Sequence, residues 1–207
     1  MTQRRAKGKT REELVVGAAA LAIAERGLAN VRVSDIAKRA GMSPGHVTYY
    51  FPSKSELLMR AIRRSEESFA VQVAEEIKAI GDPWKRLERL IQVSASSGVG
   101  DPGWVLWFQV WSKAALDPEV ARVHDELDAR WRAMLADVIW YGCDRGAFEV
   151  EDPKETALVL SALIDGLSIQ LTLGSAGLDR EGLLQVCQAA AQAHLRPRYE
   201  AAGRREP

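Results

Sequence analysis

The sequence has little of what several protein classes need. Its 207 residues hold two cysteines, Cys143 and Cys187, far apart and at no metal-ligand spacing. Neither a disulfide framework nor a cysteine metal site is expected, and both read as reduced thiols in a helical core. No run of 18 apolar residues occurs, so no membrane-spanning helix is expected. Met1–Arg11 is basic and polar, without the apolar segment of a signal peptide, which points to a cytoplasmic protein. The three histidines, His46, His124 and His194, are scattered, with no recognisable Ser-His-Asp, Cys-His or metal constellation. That speaks against an enzyme and against a cofactor. His124 and Asp128, four apart, are too few to hold a metal and read as a solvated helix face. No alternating strand pattern and no internal repeat is found.

What is present is an uneven charge. The formal net charge is zero, but residues 1–64 carry 13 Lys+Arg against 5 Asp+Glu, while residues 65–207 carry 15 against 23. The first 64 residues are thus at +8 and the rest at −8. A basic end suggests a polyanionic partner, and an acidic remainder should face away from it.

The chain reads as about nine helices, hence all-α. Met1–Lys9 is expected to be a disordered basic arm. Thr10 with Glu13 forms a capping box for a first helix, whose stripe is Leu14, Ala18, Leu21 and Ala22 and which Gly27 ends. Ser34 starts a second helix with Val33, Ile36, Ala37 and Ala40 inward, and Gly41 supplies a turn. Ser43 caps a third, with Pro44 at its first position. Val47 and Phe51 point into the core and leave His46, Thr48, Tyr49 and Tyr50 on other faces. Ser53 with Glu56 caps a fourth helix reaching about Ile80, whose stripe is Leu58, Ile62, Phe69, Val73 and Ile77. It is a candidate mechanical link, with Asp82-Pro83 as part of a hinge. Further helices are expected at about 84–97, 103–116, 118–142, 154–173 and 180–194, and the tail from Arg196 reads as loose. The helix at 154–173 is apolar nearly all round, so a second subunit is expected to cover part of it.

Residues 33–54 therefore read as a helix-turn-helix. The second helix of such a pair enters the major groove while the first crosses the backbone. Thr48 and Tyr49 suit base edges or a thymine methyl. Gly45 permits close approach of the backbone, and His46 can donate or accept. Tyr50 suits a phosphate, as does Lys54 at a helix start.

Three stretches carry a family resemblance: Ala24-Glu-Arg-Gly, Val33 to Ser43, and Gly45-His-Val-Thr-Tyr-Tyr-Phe-Pro-Ser-Lys-Ser-Glu-Leu-Leu. With an all-helical remainder, they resemble the DNA-binding domain of TetR-family transcriptional regulators. The resemblance implies a helix-turn-helix domain at 1–54 and a helical-bundle domain for ligand binding and dimerisation at 55–207. By motif position, the family's DNA contacts fall on Ser34, Gly45, His46, Thr48, Tyr49, Tyr50 and Lys54. Thr48 departs from the tyrosine common there. Trp104-Val-Leu-Trp-Phe-Gln-Val-Trp and Ala162-Leu-Ile-Asp-Gly-Leu resemble the C-terminal region of BetI-like members, whose namesake responds to choline.

The chain has six tryptophans. Trp104, Trp107 and Trp111 share a helix face, with Phe108 beside them. Such a wall can hold a flat molecule, or a cation by cation–π attraction, and Asp165 in an apolar helix can pair with a cation. The competing reading makes the tryptophans core and Asp165 a structural or inter-subunit contact. The expected function is a ligand-responsive DNA-binding regulator. It would bind a pseudo-palindromic operator as a homodimer, through helices at about 154–173 and 180–194, and be released by an aromatic or cationic inducer. A small-molecule enzyme and a protein-binding helical adaptor are the rival readings.

Overall fold

The computed structural model describes residues 2–195, with side chains from Arg11 to Leu195. The described residues form nine helices and no strand. They are α1 Thr2–Arg26, α2 Val33–Arg39, α3 Pro44–Tyr50, α4 Lys54–Lys78 and α5 Pro83–Ser94, followed by α6 Pro102–Ala114, α7 Pro118–Asp144, α8 Pro153–Thr172 and α9 Arg180–Leu195. Four helix starts share one device, an Asp-Pro pair at 82–83, 101–102, 117–118 and 152–153. Asp82 accepts from Lys85 N–H at 2.8 Å and Asp152 from Lys154 N–H at 2.7 Å, while the following proline has no N–H to leave unpaired.

Two expectations for α1 are corrected. The helix runs back to Thr2, so Thr10 lies within it and Thr2–Lys9 are not an irregular arm. The Gln, Arg, Ala and Lys of that stretch are good helix formers, which a capping signal at Thr10 does not interrupt. The buried face is also rotated. Val15, Ala18, Ala19, Ala22 and Ile23 are buried, whereas Leu14 and Leu21 are more than half exposed. An alanine-lined face permits closer helix packing than one lined by leucines. Ser34 does not begin α2 either, since the N-cap is Arg32 and carries no side-chain cap. Phe69, expected in the stripe of α4, is exposed. The loose tail expected from Arg196 lies outside the described residues.

The chain divides into two compact units. One comprises the chain up to Phe69 together with Leu106–Leu127, and the other Ala70–Val105 together with the chain from Asp128. The first has a core of Val15, Ala19, Val31, Ile36, Val47, Leu57, Ala61, Val110 and Val120, with α1, α2 and α3 forming its helix-turn-helix end. The second is built on Leu87, Leu90, Ile91, Ile139, Leu160, Leu183 and Cys187. Burial pushes the Cys187 thiol up to about 11, so it is an inert core residue.

Within the second unit α8 is half buried, not buried all round. Ala157, Leu160, Ile164, Ser168 and Leu171 face inward, while Leu158 and Val159 are exposed. By length and composition alone α8 is long and apolar enough to cross a membrane, although no run of 18 apolar residues occurs.

Candidate nucleic-acid interface and effector residues

The turn between α2 and α3 is closed by two backbone bonds. Met42 N–H reaches Ala37 O at 2.9 Å and Gly41 N–H reaches Lys38 O at 3.3 Å, with Gly41 at φ +66°. This is the paired closure that ends a helix at a left-handed residue, a conformation that favours glycine. Ser43 then caps α3, its hydroxyl accepting from His46 N–H at 3.3 Å. Val47 and Phe51 anchor α3 in the core. Arg26 pairs with Asp35 at 2.7 Å and Arg39 pairs with Glu25, holding α2 against α1.

With α3 so fixed, Ser34, Gly45, His46, Thr48, Tyr49 and Lys54 are exposed and Tyr50 is half-buried. Tyr49 is 78% exposed and meets the Tyr50 ring edge-on at 5.3 Å, while Tyr50 packs against the core. The Thr48 hydroxyl donates to Gly45 O at 3.1 Å. That commits its proton, so Thr48 offers an outside partner a methyl group and an acceptor lone pair rather than a donor. His46 Nδ1 lies 3.2 Å from the Ser43 hydroxyl. Lys54 opens α4, whose first turn is capped by Ser53, and Glu56 N–H donates to the Ser53 hydroxyl at 3.0 Å.

A Cβ at Gly45 meets only the Ser43 Oγ, at 3.9 Å, so nothing inside the chain requires glycine there. Gly45→Ala is therefore expected to leave the fold as stable or to raise stability by about 0.5–1 kcal/mol, since alanine is the better helix former. If Gly45 admits DNA closely, the same variant weakens DNA binding. Urea unfolding and a binding titration on one preparation check the two effects separately, and unchanged DNA affinity would remove Gly45 from the interface.

The aromatic residues of α6 fall in both units. In the first, the Trp107 and Trp111 ring centroids are 6.5 Å apart and those of Phe108 and Trp111 5.8 Å. The Trp111 indole N–H donates to His124 Nε2 at 2.7 Å, and Trp107 meets the His124 ring edge-on at 5.9 Å. His124 is thus an acceptor for Trp111, not a solvated residue, and Asp128 pairs with Arg132. All four aromatic residues of α6 are half-exposed.

Trp104 belongs to the second unit and sits at a braced helix start. Asp101 accepts from the N–H groups of Gly103 at 2.8 Å and Trp104 at 3.1 Å, and from the Ser97 backbone and hydroxyl. Burial raises the Asp101 carboxyl, but these hydrogen bonds outweigh it and leave its pKa below the usual value. The same loop is tied to α8. The Ser96 N–H donates to the Ser168 hydroxyl at 3.0 Å, the Ser96 and Thr172 hydroxyls are 2.8 Å apart, and Gly100 N–H donates to Thr172 O at 3.0 Å. Ser96, Ser168 and Thr172 are all buried. Sequence reading passed over this network: it expected a helix to about residue 97 and a break at 98–103, whereas α5 ends at Ser94. The network's signal was the spacing of Asp165, Ser168 and Thr172, which puts three polar groups along one side of an apolar helix.

Asp165 differs from these buried neighbours. It has no hydrogen-bond partner among the described residues. Burial pushes its carboxyl up to about 6, and the Arg132 guanidinium only partly counters this. Arg132 is already paired with Asp128, which leaves Asp165 undercompensated. A carboxyl raised above its unfolded value of 3.8 contributes stability below that value, and the contribution is lost as pH rises through about 6. Asp165→Asn is expected to match the wild type near pH 4 and to exceed it by roughly 1–2 kcal/mol above pH 7, allowing for screening by solvent. Parallel stability-versus-pH curves for the two proteins would contradict the assigned burial.

Arg86 was also not singled out from sequence. It is buried, and its guanidinium donates to Ile80 O at 2.6 and 2.9 Å and to Lys78 O at 3.1 Å, closing the end of α4. It lies 3.4 Å from the Tyr141 ring centroid, and the Tyr141 hydroxyl donates to Gly81 O at 2.8 Å. Three hydrogen bonds to two carbonyl oxygens and a ring face satisfy a buried cation that would otherwise be costly.

Comparison with known proteins decides the family. Residues 15–61 match the bacterial regulatory proteins of the tetR family, and residues 83–196 match the C-terminal region of the BetI-type transcriptional repressors. The chain belongs to the TetR family of transcriptional regulators. It is 31% identical over 187 residues to the HTH-type transcriptional regulator BetI of Rhizobium meliloti (strain 1021), which covers 90% of each chain. With BetI of Agrobacterium fabrum it shares 33% over 170 residues, 81% of this chain and 80% of the relative. Among solved structures it resembles a protein described as a transcriptional regulator from Saccharomonospora viridis, in complex with choline. That match has a TM-score of 0.75 and 33% identity, covering 92% of this chain and 100% of the other. A TetR-family regulator of this type is a ligand-responsive DNA-binding protein, with its helix-turn-helix at α2 and α3.

Proposed function

We propose that this TetR-family chain is a repressor that binds a pseudo-palindromic operator as a homodimer and is released by a small organic cation of the choline type. Ser34, Gly45, His46, Thr48, Tyr49, Tyr50 and Lys54 are the proposed DNA contacts. The exposure of all of them but Tyr50 supports that assignment. Residues 1–54 serve DNA and 55–207 serve the effector and dimerisation. The protein works in the cytoplasm and has no catalytic role, a reading supported by its membership of a regulator family.

The dimer is proposed to form through α8 and α9. Leu158, Val159, Ala162, Gly166 and Ile169 lie on one side of the α8 helical wheel, with the C-cap Leu173 continuing it, and Leu158, Val159 and Leu173 are exposed, as is Val186 of α9. A long apolar face left open on a soluble chain is a protein-contact surface. Two copies of one face related by a two-fold axis form a closed pair. In such a pair the recognition helices fit successive major grooves only at roughly 34–36 Å or its multiples. An effector releases DNA only by binding better to the state in which that spacing is lost.

The observation that carries the effector class is Asp165, a half-buried carboxyl on an apolar helix without a hydrogen-bond partner among the described residues. A quaternary ammonium has no hydrogen to donate, so it matches a site that supplies charge without directed acceptors. Aromatic faces add cation–π attraction: Trp104 lies in the same unit as Asp165, and Trp107, Phe108 and Trp111, which continue α6 in the other unit, are the further proposed effector residues. Calorimetric titration with choline chloride tests this. Wild-type affinity is expected to fall severalfold between pH 7.5 and 5 as Asp165 takes up a proton, and Asp165→Asn to bind weakly without that dependence. PH-independent binding, or equal binding by the variant, would refute the role of Asp165.

A further inference from the structure

The stretch Leu106–Leu127 belongs to the same compact unit as α1, α2 and α3. Within it α6 presents two opposite sides. Trp107 and Trp111, four apart, lie on one and meet His124. Gln109 and Lys113, also four apart, lie about half a turn away. The Gln109 side-chain oxygen accepts from Ala29 N–H at 3.0 Å, across 80 residues of sequence. Its amide group also lies over Gly27, where an added Cβ would meet Nε2 at 3.4 Å and Oε1 at 3.6 Å. Gly27 ends α1 at φ +73°, and its N–H donates to Ile23 O at 2.8 Å. Gln109 therefore holds the turn that sets where α2 begins. Lys113 donates to the Ser55 hydroxyl at 2.7 Å, next to Lys54 at the start of α4.

We propose that Gln109 is a positioning residue through which α6 transmits a change at its aromatic side to the α1–α2 turn, with Lys113 as a second contact at the start of α4. Among the described residues the turn's own bonds are local to it: Gly27 N–H to Ile23 O, Asn30 N–H to Gly27 O at 3.3 Å, and the Asn30 side chain to Arg26 O at 3.1 Å, so Gln109 is what ties the turn to α6. A helix is stiff along its axis, so a small rotation of α6 that alters the packing of Trp107 and Trp111 moves the Gln109 amide by a similar amount. Two rigidly linked contacts of this kind couple the two sides of the helix energetically without any change in fold. The proposal rests on the reading that the α6 aromatics respond to effector.

A double-mutant cycle on DNA affinity tests it without any effector. The probe is a duplex recovered by selection from a random-sequence library. Trp111→Phe removes the indole N–H that His124 accepts and leaves an aromatic ring in place. It is expected to change the Kd for that duplex at least threefold in the wild-type background and less than 1.5-fold in the Gln109→Leu background. Gln109→Glu keeps an acceptor for Ala29 N–H and is expected to restore most of the response. Thermal unfolding of each variant separates this from a loss of stability, which would lower affinity in both backgrounds alike. An equal effect of Trp111→Phe in both backgrounds, or none in either, would overturn the proposal. In a second arm choline is added. If choline changes wild-type DNA affinity, Gln109→Leu is expected to shrink that change at least fivefold, and an unshrunken change also overturns the proposal. If choline does nothing to the wild type, the choline reading fails and the cycle still decides the role of Gln109.

Discussion

Leu158→Arg is expected to convert the protein to a folded monomer that no longer holds its operator. Leu158 is 52% exposed on the described chain, so a charge there costs the isolated fold little. In the proposed pair, the same charge lies in an apolar two-fold contact and appears twice, facing its own copy. An unpaired charge in such a contact is costly, and here the two like charges also repel. The affinity lost is that of linked binding to two half-sites, roughly 10²- to 10⁴-fold. Sedimentation of the variant checks the mass, circular dichroism checks that the helices remain, and a titration with the selected duplex checks the loss. A variant that stays dimeric would move the contact away from this part of α8.

Gly142→Ala is the largest expected effect on stability. Gly142 lies inside α7, and a Cβ there would sit 2.0 Å from Cδ2 and 2.2 Å from Cε2 of Phe148. Phe148 is buried and meets Trp84 edge-on at 4.7 Å, so it has no room to swing away. Alanine ordinarily gains about 1 kcal/mol over glycine within a helix. Here the clash outweighs that gain, and a net loss of about 2 kcal/mol or more is expected. Gly17→Ala provides the contrast, because a Cβ at Gly17 in α1 meets nothing within 4 Å, and it is expected to be neutral or stabilising. Phe148→Leu should relieve part of the Gly142→Ala loss, so the pair is non-additive in urea unfolding. A stable Gly142→Ala would contradict the close approach.

These two positions mark where sequence reading reaches and where it stops. The helix starts were legible because each Asp-Pro pair acts locally, through a cap and a missing donor within one turn. The α2–α3 turn was legible for the same reason, since Gly41 and Ser43 act on their neighbours. The rotation of α1 was not: Ala18 and Ala22 of the expected stripe are buried, but its more apolar Leu14 and Leu21 are exposed while the packing selects Val15, the smaller Ala19 and Ile23. The Gly142–Phe148 approach and the Gln109–Ala29 bond join residues according to how helices stack, which no single-helix periodicity encodes. Among the candidate site residues, the exposure of Tyr49 and the burial of Phe51 follow from a four-residue spacing. The undercompensated charge of Asp165 does not, because it depends on Arg132 being engaged by Asp128.

The measurement that bears most directly on the DNA-binding assignment is a salt-dependent titration of the selected duplex and a scrambled duplex with wild type, Lys54→Ala and Tyr49→Ala. Lys54→Ala is expected to weaken both duplexes alike and to lower the salt slope by about one, as for a lost phosphate contact. Tyr49→Ala is expected to weaken the selected duplex and leave the scrambled one nearly unchanged, as for a lost base contact worth about 1–3 kcal/mol. Equal losses on both duplexes for both variants, or no preference of the wild type for the selected duplex, would contradict the assignment of α3 as the helix that reads sequence.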